Sequence, residues 1–183
     1  MEYNKTITLK DGRTCLLHGG TAEDAQSSLD VFIRTHEQTD ELLSYPDEIT
    51  FTVSEQAAYL QKKADSPNEI EILAEVDGTV VGLAGIECIG TQYKLRHRAE
   101  FGVSIDRAYW GLGIGRALTE ACIDCAKAAG YAQLELDVVA DNAAALALYR
   151  SAGFTECGRN PRGFRSRLTG WQELVHMRLE LND

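Results

Sequence analysis

Proline is scarce in this chain, with 3 in 183 residues, and methionine and tryptophan number 2 each. So few prolines exclude a Pro-rich linker or a polyproline segment. No apolar run approaches the roughly 18 residues that a membrane-spanning helix needs. The opening stretch, MEYNKTITLKDG, has no apolar core of the kind a secretory signal carries. Basic residues are also in deficit: 18 Lys and Arg stand against 28 Asp and Glu, for a net charge of −10. That balance argues against a nucleic-acid partner, whose phosphates need basic patches. Cysteines are five, Cys15, Cys88, Cys122, Cys125 and Cys157, an odd and scattered set that excludes a disulfide framework. The expectation is a soluble, cytoplasmic protein of one domain over residues 1–183, with no membrane partner and enough length to bury a sizeable core.

Cys122 and Cys125 form a C-x-x-C pair, but they lie in 113-GIGRALTEACIDCAKAAG-130, whose apolar positions recur at helical spacing. Buried cysteine packs as a small hydrophobe, so this pair reads as core. No second C-x-x-C and no H-x-x-x-H completes a metal set. His18, His36, His97 and His176 show no ligand spacing either, so no residue is assigned to a metal and the histidines receive no role.

The negative charge is concentrated. Residues 21–75 hold 13 acids and 3 bases, and so carry the whole of the net charge, while the rest of the chain is balanced. Such a stretch is either a solvated acidic surface or a field that attracts a cationic partner.

Local signals order the elements. Asp11-Gly12 and Asp77-Gly78 each lie between β-type runs, which predicts a short hairpin at the start and a longer one over residues 69–90. Between them, a helix begins near Thr21–Asp24 with Leu29, Phe32, Ile33 and His36 on one face, and a second begins with Ser54 as cap and ends at Ser66-Pro67-Asn68. The run 98-RAEFGVSI-105 reads as a strand, residues 114–130 as a helix, 132-AQLELDVVA-140 as a strand, and 143-AAALALYRSAG-153 as a helix capped by Asp141 or Asn142. Residues 154–157 and 171–181 predict the last strands, with 158-GRNPRGFRSRLTG-170 as a basic loop between them. An antiparallel meander followed by alternating strands and helices is an α+β, mixed α/β pattern, with one mostly antiparallel sheet of about six or seven strands between about four helices.

Gly111, Gly113 and Gly115 stand at alternate positions just before a helix. Each glycine inside a helix costs roughly 0.5–1 kcal/mol relative to alanine, so three together need a reason. No Gly-Lys-Ser/Thr follows, which excludes a P-loop, and neither glycine frame satisfies G-x-G-x-x-G/A, which argues against a dinucleotide oxidoreductase. Bare amides at a helix N-terminus, reinforced by the macrodipole, form a different kind of phosphate cradle.

The run GLGIGRAL, followed one strand later by 141-DNAAALALYRSAGF-154, resembles the GCN5-related N-acetyltransferases. That family's Q/R-x-x-G-x-G/A signature falls on 110-WGLGIG-115, with Trp110 where Gln or Arg is usual; if the backbone makes the phosphate contacts, that change should matter little. The family's second signature fits Asn142, Tyr149, Gly153 and Phe154, and the likeness is good over residues 69–157. The resemblance implies acetyl transfer from acetyl-CoA to an amine, on a sheet splayed in the middle. It implies that Val103, Ser104 and Ile105 pair with the pantetheine arm, that the amides of Leu112, Gly113, Ile114, Gly115 and Arg116 take the diphosphate, and that Asn142 bonds the pantetheine. Gly102 fits a bulge or a close approach. Tyr149 becomes the general acid for the departing thiolate, and Glu100 or Asp137 the base for the amine, with Glu100 slightly preferred. The acidic first half suggests a cationic acceptor: a polyamine-like amine, a basic protein N-terminus or a lysine side chain. A non-catalytic CoA-binding sensor or assembly subunit is the alternative on the same fold, and strand edges at both ends of the chain suit a homodimer.

Overall fold

In the computed structural model, residues 1–181 are described and form one eight-stranded sheet with four helices. The strands are β1 (Asn4–Thr8), β2 (Thr14–Gly19), β3 (Ile70–Val76), β4 (Thr79–Cys88), β5 (Arg98–Ile105), β6 (Gln133–Val139), β7 (Thr155–Ser166) and β8 (Gly170–Glu180). The helices are α1 (Ala25–Gln38), α2 (Val53–Asp65), α3 (Ile114–Ala128) and α4 (Ala143–Ser151). Across the sheet the order is β1-β2-β3-β4-β5-β6-β8-β7, antiparallel throughout except between β5 and β6. The α+β expectation holds, with one more strand than the upper end of the expected range.

Apolar residues at even positions of β3 and β4, among them Ile70, Ile72, Ala84 and Ile86, join Leu118, Cys122 and Cys125 of α3 and Leu146 of α4 in the main core. The opposite face carries α1 and α2, and a smaller cluster of Val31, Leu73, Val80 and Leu83 lies beneath α1. Alternation along each strand thus feeds two unequal cores, with helices on both faces. Cys122 and Cys125 are buried and unbridged, as their helical spacing predicts. No helix among the described residues is long and apolar enough to cross a membrane.

The two Asp-Gly pairs behave differently. Asp77 (φ 51°) and Gly78 (φ 75°) both adopt the left-handed conformation that a two-residue hairpin turn demands. At Asp11-Gly12 only Gly12 does so, within a wider connection closed by Leu9 N–H to Arg13 O at 2.8 Å. The second helix starts earlier than expected: Thr52, not Ser54, is its cap, accepting from Glu55 N–H while Glu55 reaches back to Thr52 N–H at 2.7 Å. On α1, Leu29 and His36 are buried as expected, but Phe32 and Ile33 are only half-buried and Val31 is fully covered.

Two further expectations are corrected. Residues 158–166 belong to β7 rather than to a loop, and the ladder with β8 shifts register between Glu156 and Gly158 and between Asn160 and Phe164. Pro161, which has no N–H to give a ladder, falls inside the second shift. Of the bulge or close approach expected at Gly102, the bulge is absent: β4 and β5 pair in unbroken register, Gly85 opposite Gly102, and a Cβ at Gly102 would meet nothing within 4 Å among the described residues.

The capping correction is open to a direct check. Thr52→Ala should lower stability by about 1 kcal/mol, whereas Ser54→Ala should leave it unchanged, as read by denaturant melts.

Candidate active site

The site begins where the sheet comes apart. β5 and β6 pair over three residues, Arg98, Glu100 and the alanine between them against Gln133–Glu135, and then diverge. Beyond Glu100 the β6 side of β5 has no strand partner, which leaves main-chain groups of Phe101–Ile105 facing a gap. Open main-chain edges are sites for an added strand or strand-like ligand. Around the gap lies a cleft of about 800 Å³ lined by β5, β6, the start of α4 and the loop after α1.

At one end of the cleft the chain turns into α3. Gly111 (φ 77°) and Gly113 (φ 104°) take conformations that disfavour any side chain, and a Cβ on Gly115 would lie 3.3 Å from Ile105 Cδ1 and Leu148 Cδ2. No protein oxygen among the described residues accepts from the main-chain N–H of Leu112, Gly113, Ile114, Gly115 or Arg116. These amides at the head of a 15-residue helix make a ready anion site. The turn is braced from two sides. Trp110 donates its indole N–H to Ile105 O at 2.7 Å, so the residue that departs from the family signature pins the turn to the end of β5. Arg34 and Gln38 of α1 hold Asp106 at 2.6 and 3.1 Å.

Most of the predicted residues meet in the cleft: Glu100, Val103, Ser104, Ile105, Gly115, Asp137, Asn142 and Tyr149 all line it. The side chains of Leu112, Ile114 and Arg116 do not. Ile114 is buried in the core, and the Arg116 guanidinium reaches Ser151 Oγ at 2.8 Å and Glu120 at 3.5 Å, so only its amide is left for an anion. Ile105 has its carbonyl already engaged by Trp110.

Asn142 is largely committed as well. Its Oδ1 caps α4 by accepting from Ala145 N–H at 2.9 Å, and its Nδ2 donates to Glu41 at 2.6 Å, which leaves one amide N–H free. Tyr149, one face of the same helix, packs against Phe101 and Phe154 with ring centroids 6.0 and 5.9 Å away. Among the described residues its hydroxyl makes no hydrogen bond. Burial and the Glu41 carboxylate push that phenol up to about 12.

The two candidate bases lie on one face of the sheet. Glu100 has no hydrogen-bond partner among the described residues, and burial, then Asp137, Glu87 and Glu135, raise its carboxyl above the usual range. Asp137 is in contact with Nδ1 of His176 on β8.

Sequence reasoning missed a second cavity of about 400 Å³ that continues the cleft under α1 and α2. Its floor is Glu71 of β3 and Glu87 of β4, with Tyr59 of α2 donating to one or the other at 3.2 and 3.1 Å. Register puts Glu71 opposite Gly85, and Glu87 opposite Glu100, on the same face. A Cβ on Gly85 would lie 2.2 Å from Glu71 Oε2, so that glycine makes room for the carboxylate. Lys63, 1% exposed, pairs with Glu87 at 2.6 Å, and among the described residues no cation makes an ion pair with Glu71, which feels Lys63 only at longer range. Alternating acids were visible in the sequence, but not that three strands would align them. Glu41, on a loop without a motif, carried no signal at all.

Relatives place this geometry. The acetyltransferase (GNAT) family's sequence profile matches residues 34–154. The N-alpha-acetyltransferase RimI of Mycobacterium tuberculosis is 37% identical over 108 residues, which cover 59% of this chain and 66% of that protein. The ribosomal protein bS18-alanine N-acetyltransferase of Escherichia coli is 47% identical over 66 residues, 36% of this chain and 45% of its own. The chain thus spans just under two thirds of the first relative and under half of the second. Among solved structures, an acetyltransferase of the GNAT family from Streptococcus pneumoniae has a TM-score of 0.87 at 28% identity, covering 92% of this chain and 99% of its own.

Glu71, half-buried at the floor of the second cavity, generates a pH test. Burial raises its carboxyl from 4.5 to about 7 in the folded protein. The native state therefore holds a proton that the unfolded chain releases, and stability falls as pH rises through that window. Glu71→Gln should stabilise the protein by about 1–3 kcal/mol at pH 8 and by almost nothing at pH 4, as read by urea titrations at both values.

Proposed function

The chain belongs to the acetyltransferase (GNAT) family, and on that premise we propose that it moves the acetyl group of acetyl-CoA to a cationic primary amine. One observation carries the reading: an open β5 edge and a free Tyr149 hydroxyl border one cleft, and the row of unpartnered amides at the head of α3 meets its end at Gly115.

The residues fit the cosubstrate. The amides of Leu112–Arg116 would take its diphosphate, the β5 edge at Val103 and Ser104 its pantetheine amides, and the remaining Asn142 N–H a carbonyl of the same arm. Gly115 keeps the passage between Ile105 and Leu148 clear. Acetyl-CoA supplies an acyl group activated as a thioester.

The protein's own groups handle the protons. An ammonium acceptor must lose a proton before its nitrogen can attack, and Glu100 and Asp137 both face the cleft where it would arrive. A carboxyl raised by its surroundings, as at Glu100, is a better base near neutrality than an ordinary one. Tyr149 stays protonated well above neutral pH and is ready to give its proton to the sulfur that leaves. The cleft's apolar walls, among them Phe101, Leu136 and Leu148, limit the water that competes with the amine.

The acceptor class follows from charge. No Lys or Arg side chain lines either cavity among the described residues, while Glu41, Glu71, Glu87, Glu100 and Asp137 do. A free amino acid would bring its carboxylate against these groups. A polyamine-like amine, a lysine side chain or a basic protein N-terminus brings the complementary sign.

Tyr149→Phe should lower kcat about a hundredfold while the affinity for acetyl-CoA changes less than about twofold, from steady-state rates and calorimetry. In a panel of amines, diamines and basic N-terminal peptides should exceed free amino acids in kcat/KM by at least about tenfold. A preference for carboxylate-bearing acceptors would remove the charge argument.

A further inference from the structure

Resting on the reading of acetyl-CoA as cosubstrate, we infer that Trp110, with Arg107 and Lys10, seats the nucleotide end of that molecule: the indole takes the purine, and the two cations take the phosphate monoester on its ribose. Trp110 opens the turn into α3, directly before Gly111 and the amides that have no protein partner. It lines the cleft, yet its relative exposure is 50%. An indole left half in water forgoes hydrophobic stabilisation and presents a flat apolar face. The ring is not loose, because its N–H is fixed on Ile105 O at 2.7 Å. A ring already held in place loses little further freedom when a base stacks on it.

The charges around the turn are shared out unequally. The Arg107 guanidinium lies 5.6 Å from the centre of the Trp110 ring and makes no ion pair among the described residues. Its main-chain N–H goes to Gln38 Oε1 at 2.8 Å, which ties the backbone and leaves the side chain exposed. Lys10, at the turn between β1 and β2, donates its main-chain N–H to Leu112 O at 3.1 Å and so stands against the same glycine run. Its ammonium is exposed and has no ion pair among the described residues either. The other cations nearby are spent: Arg13 on Asp11, Arg34 on Asp106, and Arg116 on Glu120 and Ser151. Those pairs also neutralise acids that would repel a phosphate.

The cosubstrate has parts that the helix amides do not account for. Those of Leu112–Arg116 serve one diphosphate. Beyond it the molecule carries an adenine and a phosphate monoester, which holds about −1.5 to −2 charge at pH 7. A purine stacks on an indole whatever hydrogen bonds it makes elsewhere. A guanidinium resting on an aromatic face can pair with a phosphate from there, since its donors lie in its own plane. Trp110 stands where the family signature has Gln or Arg. This chain thus exchanges a polar side chain at that position for a stacking surface, and draws its cations from Arg107 and Lys10.

The test compares the affinities of CoA, dephospho-CoA, which lacks only the monoester, and phosphopantetheine, which lacks the nucleotide, by calorimetry. Wild type should bind CoA at least about tenfold more tightly than dephospho-CoA. Replacing both cations, Lys10→Ala with Arg107→Ala, should cut that preference below about threefold and leave dephospho-CoA within about twofold. Trp110→Leu should weaken CoA and dephospho-CoA about tenfold each and phosphopantetheine less than about twofold. Trp110→Phe keeps a ring but has no N–H for Ile105, and should hold all three ligands within about threefold. A Trp110 that only braces the turn would make Phe fail as Leu does and weaken phosphopantetheine as well. The chain has 2 tryptophans, so in Trp171→Phe the emission is that of Trp110. CoA and dephospho-CoA should quench it and phosphopantetheine should not, a readout that needs no substitution at the site. Equal affinity of wild type for CoA and dephospho-CoA, a Trp110→Leu loss shared by phosphopantetheine, or an emission that CoA leaves unchanged overturns the inference. A wild type that binds none of the three overturns the parent reading as well, whereas one that binds them without discrimination overturns this inference alone.

Discussion

The parting of β5 from β6 is the constraint on which the rest of the structure depends. Parallel pairing lasts for three residues and then stops. Main-chain groups left unpaired inside a protein are costly unless something else bonds them. Here the structure keeps them at the wall of a cleft, where solvent or a ligand can reach them. α4 packs near the opening and brings Tyr149 to it, while the turn into α3 brings bare amides to its end. Paired along their whole length, these two strands would leave neither cleft nor free edge.

The gap also joins two environments that the sheet would otherwise separate. On the side of α3 and α4 the walls are aromatic and aliphatic, with Phe101, Tyr149 and Phe154 in mutual contact. On the side of α1 and α2 a row of acids crosses from β3 to β6: Glu71, Glu87, Glu100 and Asp137. Nearby cations are spent on Glu87 and Glu135, through Lys63 and Arg98, and Asp137 has only His176. Glu71 and Glu100 are left to climb above the usual carboxylate range. An apolar passage and an acidic chamber thus meet at one opening.

Local grammar made much of this legible. Strand β5 falls on 98-RAEFGVSI-105 as its alternation predicts, and Asn142 caps α4. The glycine run reads correctly as a turn with unpartnered amides, and only glycine readily adopts φ near 77° and 104° there. Errors arose where tertiary pairing overrode local preference. The stretch 158–166 has the composition of a loop, yet β8 recruits it into a strand and places Pro161 at a register shift. The same Asp-Gly dipeptide makes a tight turn at one site and a wider one at another, because strand ends rather than the dipeptide set the loop length. Contacts across strands were out of reach for a related reason. That Glu71 lies opposite Gly85, or Asp137 beside His176, is a matter of register, which is fixed only when the sheet forms.

The loop after α1 shows how the acidic first half of the chain is put to use. Asp40 accepts from Ser166 Oγ at 2.6 Å and from Tyr45 at 2.8 Å, and Gln172 donates to its main-chain oxygen at 3.0 Å. Arg167 reaches back to Asp47 and Glu48 at 2.7 and 3.2 Å. The exposed arginine pairs contribute little individually, about 0–1 kcal/mol. Together with the Asp40 bonds they hold the loop against the β7–β8 hairpin, and so set Glu41 on Asn142 and beside Tyr149. The charge that looked like a solvated surface in the sequence therefore divides in two. Asp40, Asp47 and Glu48 fasten the loop to the basic hairpin, and Glu41, Glu71 and Glu87 line the two cavities.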